Sequence, residues 1–219
     1  MAATTLSHDD ARRVYDRIGS FQDSQAFYED KTTDELVAHG AFNTATRIFE
    51  FGCGTGRFAE TLLRRLPETA TYKGIDLSPT MVGLARDRLA PFGSRVEIAL
   101  SQGGAPVLEP EGSCDRWVST FVLDLLCDND IDQVLAEAHR MLVPDGLLCL
   151  ASLSTGSTWC SRMMASAWSA VHQMRADLVG GCRPLELRSH LAADQWEIQR
   201  YAAHAPFCIP SEAIVARRL

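Results

Sequence analysis

The stretch Arg-Ile-Phe-Glu-Phe-Gly-Cys-Gly-Thr-Gly-Arg-Phe, residues 47 to 58, decides the fold of this chain. A short and mostly apolar run, residues 48 to 51, is followed by three glycines on alternate positions, Gly52, Gly54 and Gly56, and then by a helical pattern. A buried strand that ends in glycines and turns into a helix brings free backbone N–H groups and the positive end of the helix to one point. Glycine also lets a ligand approach the backbone closely. The sequence therefore predicts a nucleotide-type cofactor site at this turn.

The glycine spacing distinguishes between cofactor classes. The dinucleotide fingerprint Gly-x-Gly-x-x-Gly requires a glycine at position 57, where this chain has Arg57. The spacing here is Gly-x-Gly-x-Gly, and with the acidic Glu50 included the segment resembles the first motif of the class I S-adenosylmethionine-dependent methyltransferases. That family binds the methionine part of its cofactor at this turn. The resemblance implies a cofactor loop made of Glu50, Gly52, Cys53, Gly54 and Gly56.

After the glycine loop, strand patterns alternate with helix patterns, which predicts a parallel sheet with helices on both faces. The predicted strands are residues 48–51, 71–75, 96–100, 115–121, 142–150 including a turn, 196–203 and 208–216. The resemblance implies an α/β fold with a seven-stranded, doubly wound and mostly parallel sheet, an N-terminal helical arm and a C-terminal antiparallel hairpin. We expect a single domain, divided into an arm or lid (1–40), a cofactor-binding core (41–151) and a substrate-side helix with closing strands (152–219).

Asp76 ends the second predicted strand, close to the roughly 20-residue spacing expected of an acid that binds ribose hydroxyls. One carboxylate can accept hydrogen bonds from two vicinal hydroxyls, which explains the residue type. The alternative role is a helix cap, but Ser78 followed by Pro79 already provides the helix start. We therefore predict that Asp76 binds the ribose of the cofactor. The family resemblance implies that Leu77 and Met81 flank the adenine.

The loop after the third strand, residues 101 to 108, departs from the family pattern. The family usually has Gly-Asp-Ala ahead of a leucine here, and its acid accepts a hydrogen bond from the adenine amine. In this chain Gly104 occupies the position of that acid. Gln102 would replace the acid through its side-chain carbonyl, or Gly104 and Ala105 would contact the adenine through the backbone alone. Both alternatives remain open on the sequence.

The carboxyl end of the fourth strand is expected to face both cofactor and acceptor, and the resemblance places Thr120 and Phe121 there. Asp124 is an anomaly, because its neighbours from Phe121 to Leu126 are otherwise apolar. A carboxylate in apolar surroundings is costly unless it meets a cation, a donor or water. We predict that Asp124 faces the acceptor as an acid or base. The alternative is a helix cap or a solvated turn residue.

The segment ahead of the glycine loop, from about residue 7 to 40, has the pattern of two helices with a break near Gly19. It is either an arm that packs on an edge of the sheet or a lid over the cofactor. In the resembling family this segment often folds across the site. On that basis Tyr15 and Tyr28 are predicted to lie over the methionine end of the cofactor.

Composition restricts the possible partners of this 219-residue chain. The formal net charge is −7, so nucleic acid is not expected as a partner. No apolar run reaches the roughly 20 residues that span a bilayer, and the first seven residues lack the features of a signal peptide. The seven cysteines include no Cys-x-x-Cys pair, so they are expected to be reduced thiols of a cytoplasmic protein, with no metal site.

The resemblance implies transfer of a methyl group from S-adenosylmethionine to an O, N or S atom of a small molecule, by a monomer or homodimer without nucleic-acid or membrane partners. The acidic balance and the absence of an Asn/Asp-Pro-Pro-aromatic motif count against a nucleic-acid acceptor. Three alternatives remain: a protein or RNA methyltransferase, a non-catalytic S-adenosylmethionine sensor, and a methyltransferase for a thiol or arsenite. In the last case Cys160, Cys182 and Cys208 would hold the acceptor.

Overall fold

Seven strands form one sheet in this computed structural model, which describes residues 5 to 219. The strands are β1 Arg47–Phe51, β2 Thr71–Asp76, β3 Val96–Leu100, β4 Cys114–Thr120, β5 Leu142–Leu153, β6 Trp196–His204 and β7 Ser211–Arg218. They lie in the order β3-β2-β1-β4-β5-β7-β6. The pairs from β3 to β5 are parallel, and β7 runs antiparallel to both β5 and β6. The predicted α/β fold with an antiparallel closing pair is confirmed.

Six α-helices accompany the sheet in the described part of the chain. They are α1 His8–Ile18, α2 Ala26–His39, α3 Arg57–Leu63, α4 Pro79–Leu89, α5 Asp128–Met141 and α6 Trp159–Met174. Side-chain caps fix several starts, because the first N–H groups of a helix lack backbone partners. The side chain of Ser7 accepts from Asp10 N–H, and that of Ser78 accepts from Met81 N–H.

The start of α5 differs from the sequence prediction. The residue types predict that Asp130 caps a helix from Ile131 to Met141, but α5 begins three residues earlier, at Asp128, and Cys127 stands at its cap position without a side-chain hydrogen bond. Asp130 therefore belongs to the first turn, where a negative charge stabilises the helix dipole. The prediction that Asp130 caps the helix is wrong.

The strand order creates the crevice in which ligands bind in this class of sheet. β1 pairs with β2 on one side and with β4 on the other, so the connections leave β1 in opposite directions. Ligands bind outside the carboxyl ends of the strands at such a switch point. Two apolar cores, one on each face of the sheet, hold the strands in place. One contains Ile48, Tyr72 and Val118, and the other contains Phe49 and Trp117.

Polar contacts attach the N-terminal arm to the core. Residues Gly19–Gln25 form a 3-10 segment between α1 and α2. In this segment Asp23 accepts hydrogen bonds from the Thr55 hydroxyl, at 2.6 Å, and from Arg88 of α4. The buried hydroxyls of Thr32 on α2 and Ser211 on β7 lie 2.6 Å apart. The second arm helix thus packs on the sheet, while α1 covers the strand ends. The division into arm, core and closing segment stays a prediction.

A disulfide joins the start of α6 to the turn that precedes β7. Its partners, Cys160 and Cys208, are 48 residues apart in the sequence. The prediction that all seven cysteines are reduced thiols is wrong for this pair, because no spacing motif marks cysteines that only the fold brings together. Cys53, Cys114 and Cys149 are buried in the cores as predicted. Cytoplasmic location stays a prediction. The Cys160–Cys208 disulfide weakens the part of that prediction that rests on reduced cysteines.

Within residues 5 to 219, none of the helices combines the length and the apolar character needed to cross a membrane.

Candidate functional site

A cavity opens at the carboxyl ends of β1 to β4, beneath α1. It holds about 910 Å³ of empty space, part of which is open to solvent. Its wall combines the glycine loop, the end of β2, the loop after β3, the end of β4 and the inner face of the arm.

Each glycine of the loop is required for a different structural reason. All three have positive φ, at 77° for Gly52, 53° for Gly54 and 76° for Gly56, a region that other residues avoid. A Cβ at Gly52 would lie 2.3 Å from a methyl group of Val122, whereas a Cβ at Gly54 would meet open space. At Gly56 a Cβ would lie 3.2 Å from the backbone of Ala85 on α4. Gly52 and Gly54 line the cavity, and Gly56 allows α3 to pack against α4.

Asp76 connects the glycine loop to α4 and lines the cavity. Its Oδ2 accepts from Gly54 N–H and its Oδ1 from Ser78 N–H, both at 2.9 Å. Burial raises the pKa of Asp76, and these two hydrogen bonds act in the opposite direction. Because a carboxylate has about four acceptor sites, Asp76 retains capacity for two ligand hydroxyls. The geometry is thus compatible with the predicted ribose role.

Glu50 and Cys53 lie behind the glycine loop instead of on the cavity wall. Glu50 is 1% exposed, and its Oε2 accepts from the Tyr72 hydroxyl. Burial raises its pKa to about 7, against the hydrogen bonds from Tyr72 and Thr120. Cys53 is buried against Gly74 of β2, and a Cβ added to Gly74 would lie 2.9 Å from the Cβ of Cys53. Both residues therefore support the loop from below, and their cofactor roles stay predictions.

The wall at the end of β3 is built from backbone. Five residues near the ends of β2 and β3 line the cavity: Leu77, Met81, Ser101, Gly103 and Gly104. Gln102 is exposed, and Ala105 packs against the second core. Of the two alternatives for the adenine amine, the placement favours backbone contact at Gly104 over the side chain of Gln102. The direct role predicted for Ala105 is not supported by its position.

His8 closes the same end of the cavity from α1. A Cβ at Gly103 would lie 3.1 Å from the His8 ring, and a Cβ at Gly104 would lie 3.0 Å from it. The sequence analysis missed His8, together with Arg12, another cavity residue of α1. The signal was available, since His8, Arg12 and Tyr15 share a helical face at i, i+4 and i+7 spacing.

The carboxyl end of β4 forms the other side of the cavity. Thr120 and Phe121 line it as predicted, and Val122, Leu125 and Leu126 extend an apolar wall that the sequence analysis did not assign. Phe121 has a φ of +55°, an uncommon conformation for a residue with a side chain, and such outliers concentrate at functional sites.

The two tyrosines predicted for the arm take different positions. Tyr15 lines the cavity. Tyr28 is 6% exposed and reaches the cavity wall through Phe121, whose ring lies edge-on to it with centroids 6.0 Å apart. The arm thus forms part of the cavity, as expected of a lid. Whether it orders on ligand binding stays a prediction.

Asp124 is fully buried in a 3-10 turn directly after β4. Its Oδ2 accepts from Leu153 N–H at 3.2 Å, and its Oδ1 has no hydrogen-bond partner. Burial raises its pKa to about 7, with smaller opposing effects that include the Leu153 N–H and the charge of Arg183. The alternative of a solvated turn residue or helix cap is wrong, since Asp124 is inaccessible and α5 begins beyond it. Its side chain turns toward β5, and the cavity is lined by its neighbours Val122 and Leu125.

The alternative acceptor site of three thiols is not present. Cys160 and Cys208 are bonded to each other, and Cys182 lies 3.8 Å from the Tyr15 hydroxyl. Across residues 5 to 219, the His, Cys, Asp and Glu side chains form no group of three or more that would hold a metal ion.

Residues 48–146 match the family model described as a methyltransferase domain. This match identifies a domain of the class I S-adenosylmethionine-dependent methyltransferase family within the chain. The chain is 36% identical over 154 residues to the malonyl-acyl-carrier protein O-methyltransferase of Laribacter hongkongensis, a match that covers 67% of the chain. The chain spans about half of that relative, at 49% of its length.

Two solved structures resemble this methyltransferase along most of its length. The cyclase SpnF has a TM-score of 0.75 and 15% identity, with 100% of this chain and 99% of that one covered. The geranyl diphosphate C-methyltransferase of Streptomyces coelicolor, solved with S-adenosylhomocysteine, has a TM-score of 0.69 and 13% identity, covering 87% and 79%. At these identities the likeness shows the fold alone. The family and the fold together imply S-adenosylmethionine as the cofactor.

Proposed function

We propose that this protein binds S-adenosylmethionine in the cavity and transfers its methyl group to a small molecule. The observation that carries the proposal is continuity: one cavity joins Gly52, Gly54 and Asp76 to the end of β4 and the inner face of the arm. A methyl donor held by the loop and an acceptor held by the arm would share this space. Direct contact of this kind is what an in-line transfer requires.

The residues present fit the cofactor. A Cβ at Gly54 would project into open space, so the absence of a side chain there leaves the loop backbone accessible. Asp76 would accept from the ribose hydroxyls, and Gly104 and Leu77 would enclose the adenine beneath His8. When bound, S-adenosylmethionine supplies an electrophilic methyl group, so the protein has mainly to orient the acceptor and exclude water. The apolar wall of Phe121, Val122, Leu125 and Leu126 and the cover of α1 serve both purposes.

Asp124, the predicted acid or base, would serve the acceptor only if its buried side chain came to face the cavity, which its neighbours Val122 and Leu125 line. An acceptor that loses a proton on methylation needs a group to take it, and general-base assistance contributes typically about 10² to 10⁴ in rate. With a pKa of about 7, Asp124 has a basicity suited to that task near neutral pH.

A second candidate function is a reaction other than methyl transfer on the same fold. It is favoured by the similarity to SpnF, whose structure is described as that of a cyclase. Family membership and the glycine loop both support cofactor binding, whereas neither decides the reaction.

Binding and transfer are tested separately. Calorimetry with S-adenosylmethionine, S-adenosylhomocysteine and NAD is expected to show binding of the first two only. Incubation with methyl-labelled S-adenosylmethionine and a metabolite extract is expected to move label into a small product. Binding without transfer would favour a sensor or a cyclase-type role, and NAD binding in place of S-adenosylhomocysteine would refute the proposed cofactor.

A further inference from the structure

We propose that the arm binds the amino-acid end of S-adenosylmethionine, with the Arg12 guanidinium donating to its α-carboxylate and the Gln22 side chain accepting from its α-ammonium group. This inference rests on the proposed function and names two further binding residues of the same site. It makes the arm, and not the glycine loop alone, the part of the protein that distinguishes the cofactor from other adenosine compounds.

Arg12 is a cation of the cavity wall with an unpaired donor. It lies on α1 and lines the cavity, and its Nε is buried without a hydrogen-bond partner among residues 5 to 219. Asp16, one turn further along α1, accepts instead from the Ser78 hydroxyl and from Thr80 N–H, at 3.3 Å. A guanidinium pairs best with a planar oxyanion such as a carboxylate. A ligand that brings a carboxylate to this part of the wall would therefore supply the missing partner.

Gln22 presents the opposite requirement on the same cavity wall. Its amide nitrogen donates to Gln25 Oε1 at 2.8 Å, and the same oxygen accepts from the Tyr28 hydroxyl at 3.0 Å. The remaining polar atom of the Gln22 side chain, Oε1, is buried, and no donor within residues 5 to 219 reaches it. An ammonium group carries three donors and no acceptor, so it is a suitable partner for this oxygen.

The segment that carries Gln22 is fixed beside the glycine loop. Asp23, the next residue, accepts from the Thr55 hydroxyl at 2.6 Å, and Thr55 lies between Gly54 and Gly56. Asp23 is also paired with Arg88 of α4. These contacts hold the 3-10 segment at the end of β1, so Gln22 contributes to the part of the cavity wall that adjoins the loop.

The proposed position of the adenosine leaves the amino-acid end near these two residues. The adenine would lie beneath His8, and the ribose would lie at Asp76, at the end of β2. The rest of the cofactor would then extend over the glycine loop toward Gln22. Arg12 lies four residues after His8, about 6 Å further along α1 in the direction of the 3-10 segment. Its side chain is therefore beyond the adenine, on the way to the amino-acid end.

The two unpaired atoms together match a zwitterion. One is a donor on a cation and the other is a neutral acceptor, and an α-amino acid carries one carboxylate and one ammonium group. A simple carboxylic acid would leave Gln22 Oε1 unpaired, and a simple amine would leave Arg12 Nε unpaired, each with its desolvation cost. The apolar residues at the end of β4 remain available for the body of the acceptor. The arm thus holds the far end of the cofactor beside the acceptor.

The experiment is calorimetry on the full chain with four ligands. S-adenosylhomocysteine carries both charged groups, its decarboxylated and deaminated analogues each lack one, and 5′-methylthioadenosine lacks both. Arg12→Gln is expected to weaken S-adenosylhomocysteine about fivefold and to change the decarboxylated analogue less than about twofold, because the lost partner is absent from that ligand. The control Arg13→Gln makes the same substitution at an exposed neighbour that pairs with Asp10, and it is expected to change neither affinity.

Gln22→Met keeps the length of the side chain and removes its acceptor. This variant is expected to weaken S-adenosylhomocysteine about threefold and to change the deaminated analogue less than about twofold, because a neutral acceptor contributes less than a charged partner. The matched control is Gln133→Met, at an exposed position of α5. The same selective loss in Asp130→Asn, with none in Gln22→Met, would assign the ammonium group to Asp130, an acid of the cavity wall, and overturn the role of Gln22.

Two other outcomes would overturn the inference and leave the proposed function intact. Equal weakening of all four ligands in Arg12→Gln and Gln22→Met would mean that both residues act only through the folding of the arm. Unchanged affinity for S-adenosylhomocysteine in Arg12→Gln would mean that Arg12 does not bind the cofactor, and a carboxylate of the acceptor would then be its partner. If the wild-type protein does not bind S-adenosylhomocysteine, the proposed function itself fails.

Discussion

Asp76 ends β2 and is partly buried, whereas Asp124 follows β4 and is fully buried, and the surroundings of the two carboxylates differ. Asp76 accepts two backbone N–H groups at 2.9 Å, one on each oxygen. Asp124 accepts one at 3.2 Å, and its other oxygen has no partner. The first carboxylate is held by the protein itself, as a rigid cofactor site requires. The second turns toward β5 and keeps one oxygen without a partner. After their proposed roles, we call the wall of the glycine loop and the end of β2 the adenosine side, and the wall of β4 and the arm the acceptor side. The protein's own hydrogen bonds hold the carboxylate of the adenosine side, whereas the carboxylate behind the acceptor side is only partly paired.

The largest effect is expected from Asp76→Ala. The substitution removes the acceptor for the ribose hydroxyls and frees Gly54 N–H and Ser78 N–H. A hydrogen bond to a charged group contributes about 1.5–3 kcal/mol, so S-adenosylhomocysteine affinity measured by calorimetry is expected to fall at least tenfold. The control is Asp87→Ala, which alters an exposed acid of α4. Unchanged affinity in Asp76→Ala would mean that the adenosine side is held by the loop alone.

Reduction of the disulfide is expected to destabilise the protein and leave the cofactor site intact. The Cys160–Cys208 bond closes a loop of 48 residues, and cross-links of this length stabilise by about 2–4 kcal/mol. Unfolding in urea with and without a thiol reductant measures the loss, and Cys160→Ser repeats it without reductant. The control Cys149→Ser keeps the disulfide, so it is expected to lose as much stability on reduction as the wild type, whereas Cys160→Ser is expected to lose none. Loss of S-adenosylhomocysteine binding on reduction would show that the cofactor site depends on the Cys160–Cys208 bond.

Asp124→Asn is expected to stabilise the protein at alkaline pH. Burial raises the pKa of Asp124 to about 7 in the folded state, well above the unfolded value of about 4. The folded state therefore retains a proton that the unfolded state has lost, and stability falls as pH rises from 4 to 7. Asp124→Asn removes the titrating group. The difference in unfolding free energy between the variant and the wild type is therefore expected to be about 1–2 kcal/mol more favourable to the variant at pH 8 than at pH 5. Thermal unfolding at both pH values measures it, and an equal gap at the two would show that Asp124 does not titrate there.

The smallest effect is expected in the arm. S-adenosylhomocysteine is expected to increase the hydrogen-exchange protection of residues 10 to 30, because Tyr15 and Gln22 would contact the ligand through the cavity wall. Slowing of about tenfold, near 1.4 kcal/mol, is a reasonable scale for ordering a segment already packed on the core. Strand β7 serves as the internal control. Equal protection in both states would mean that the arm is a fixed wall of the site and not a lid.

The sequence predicted most accurately the features that depend on residues adjacent in the chain. The helix α4 begins at the predicted Pro79 and the strand at Val96–Leu100 has the predicted bounds, because a proline start and a β-branched run act locally. Gly52, Gly54 and Asp76 were also placed on the cavity side, since their roles follow from a strand–turn–helix unit and one crossover. The family motif adds to this local signal, so the adenosine side was largely available from the sequence.

The acceptor side could not be predicted from the sequence in the same way, because contacts between residues far apart in the chain form it. His8 covers Gly103 only after α1 folds back over the sheet, and Gln22 reaches the cavity through a 3-10 segment that has no clear periodicity. The pairing of Cys160 with Cys208 likewise depends on how α6 meets the turn before β7.

The contact between Gly52 and Val122 has a consequence for the inheritance of mutations. The methyl groups of Val122 occupy the space that a side chain at position 52 would need, at 2.3 Å from the ideal Cβ. Gly52 is therefore constrained twice, because its φ of 77° strains any side chain at this position even where space is available. In a lineage or a mutant library, Val122→Gly would remove the clash but not this strain, so Gly52→Ala is expected to be destabilising in either order. The family's glycine motif is thus protected by a residue that lies outside it, at the end of a different strand.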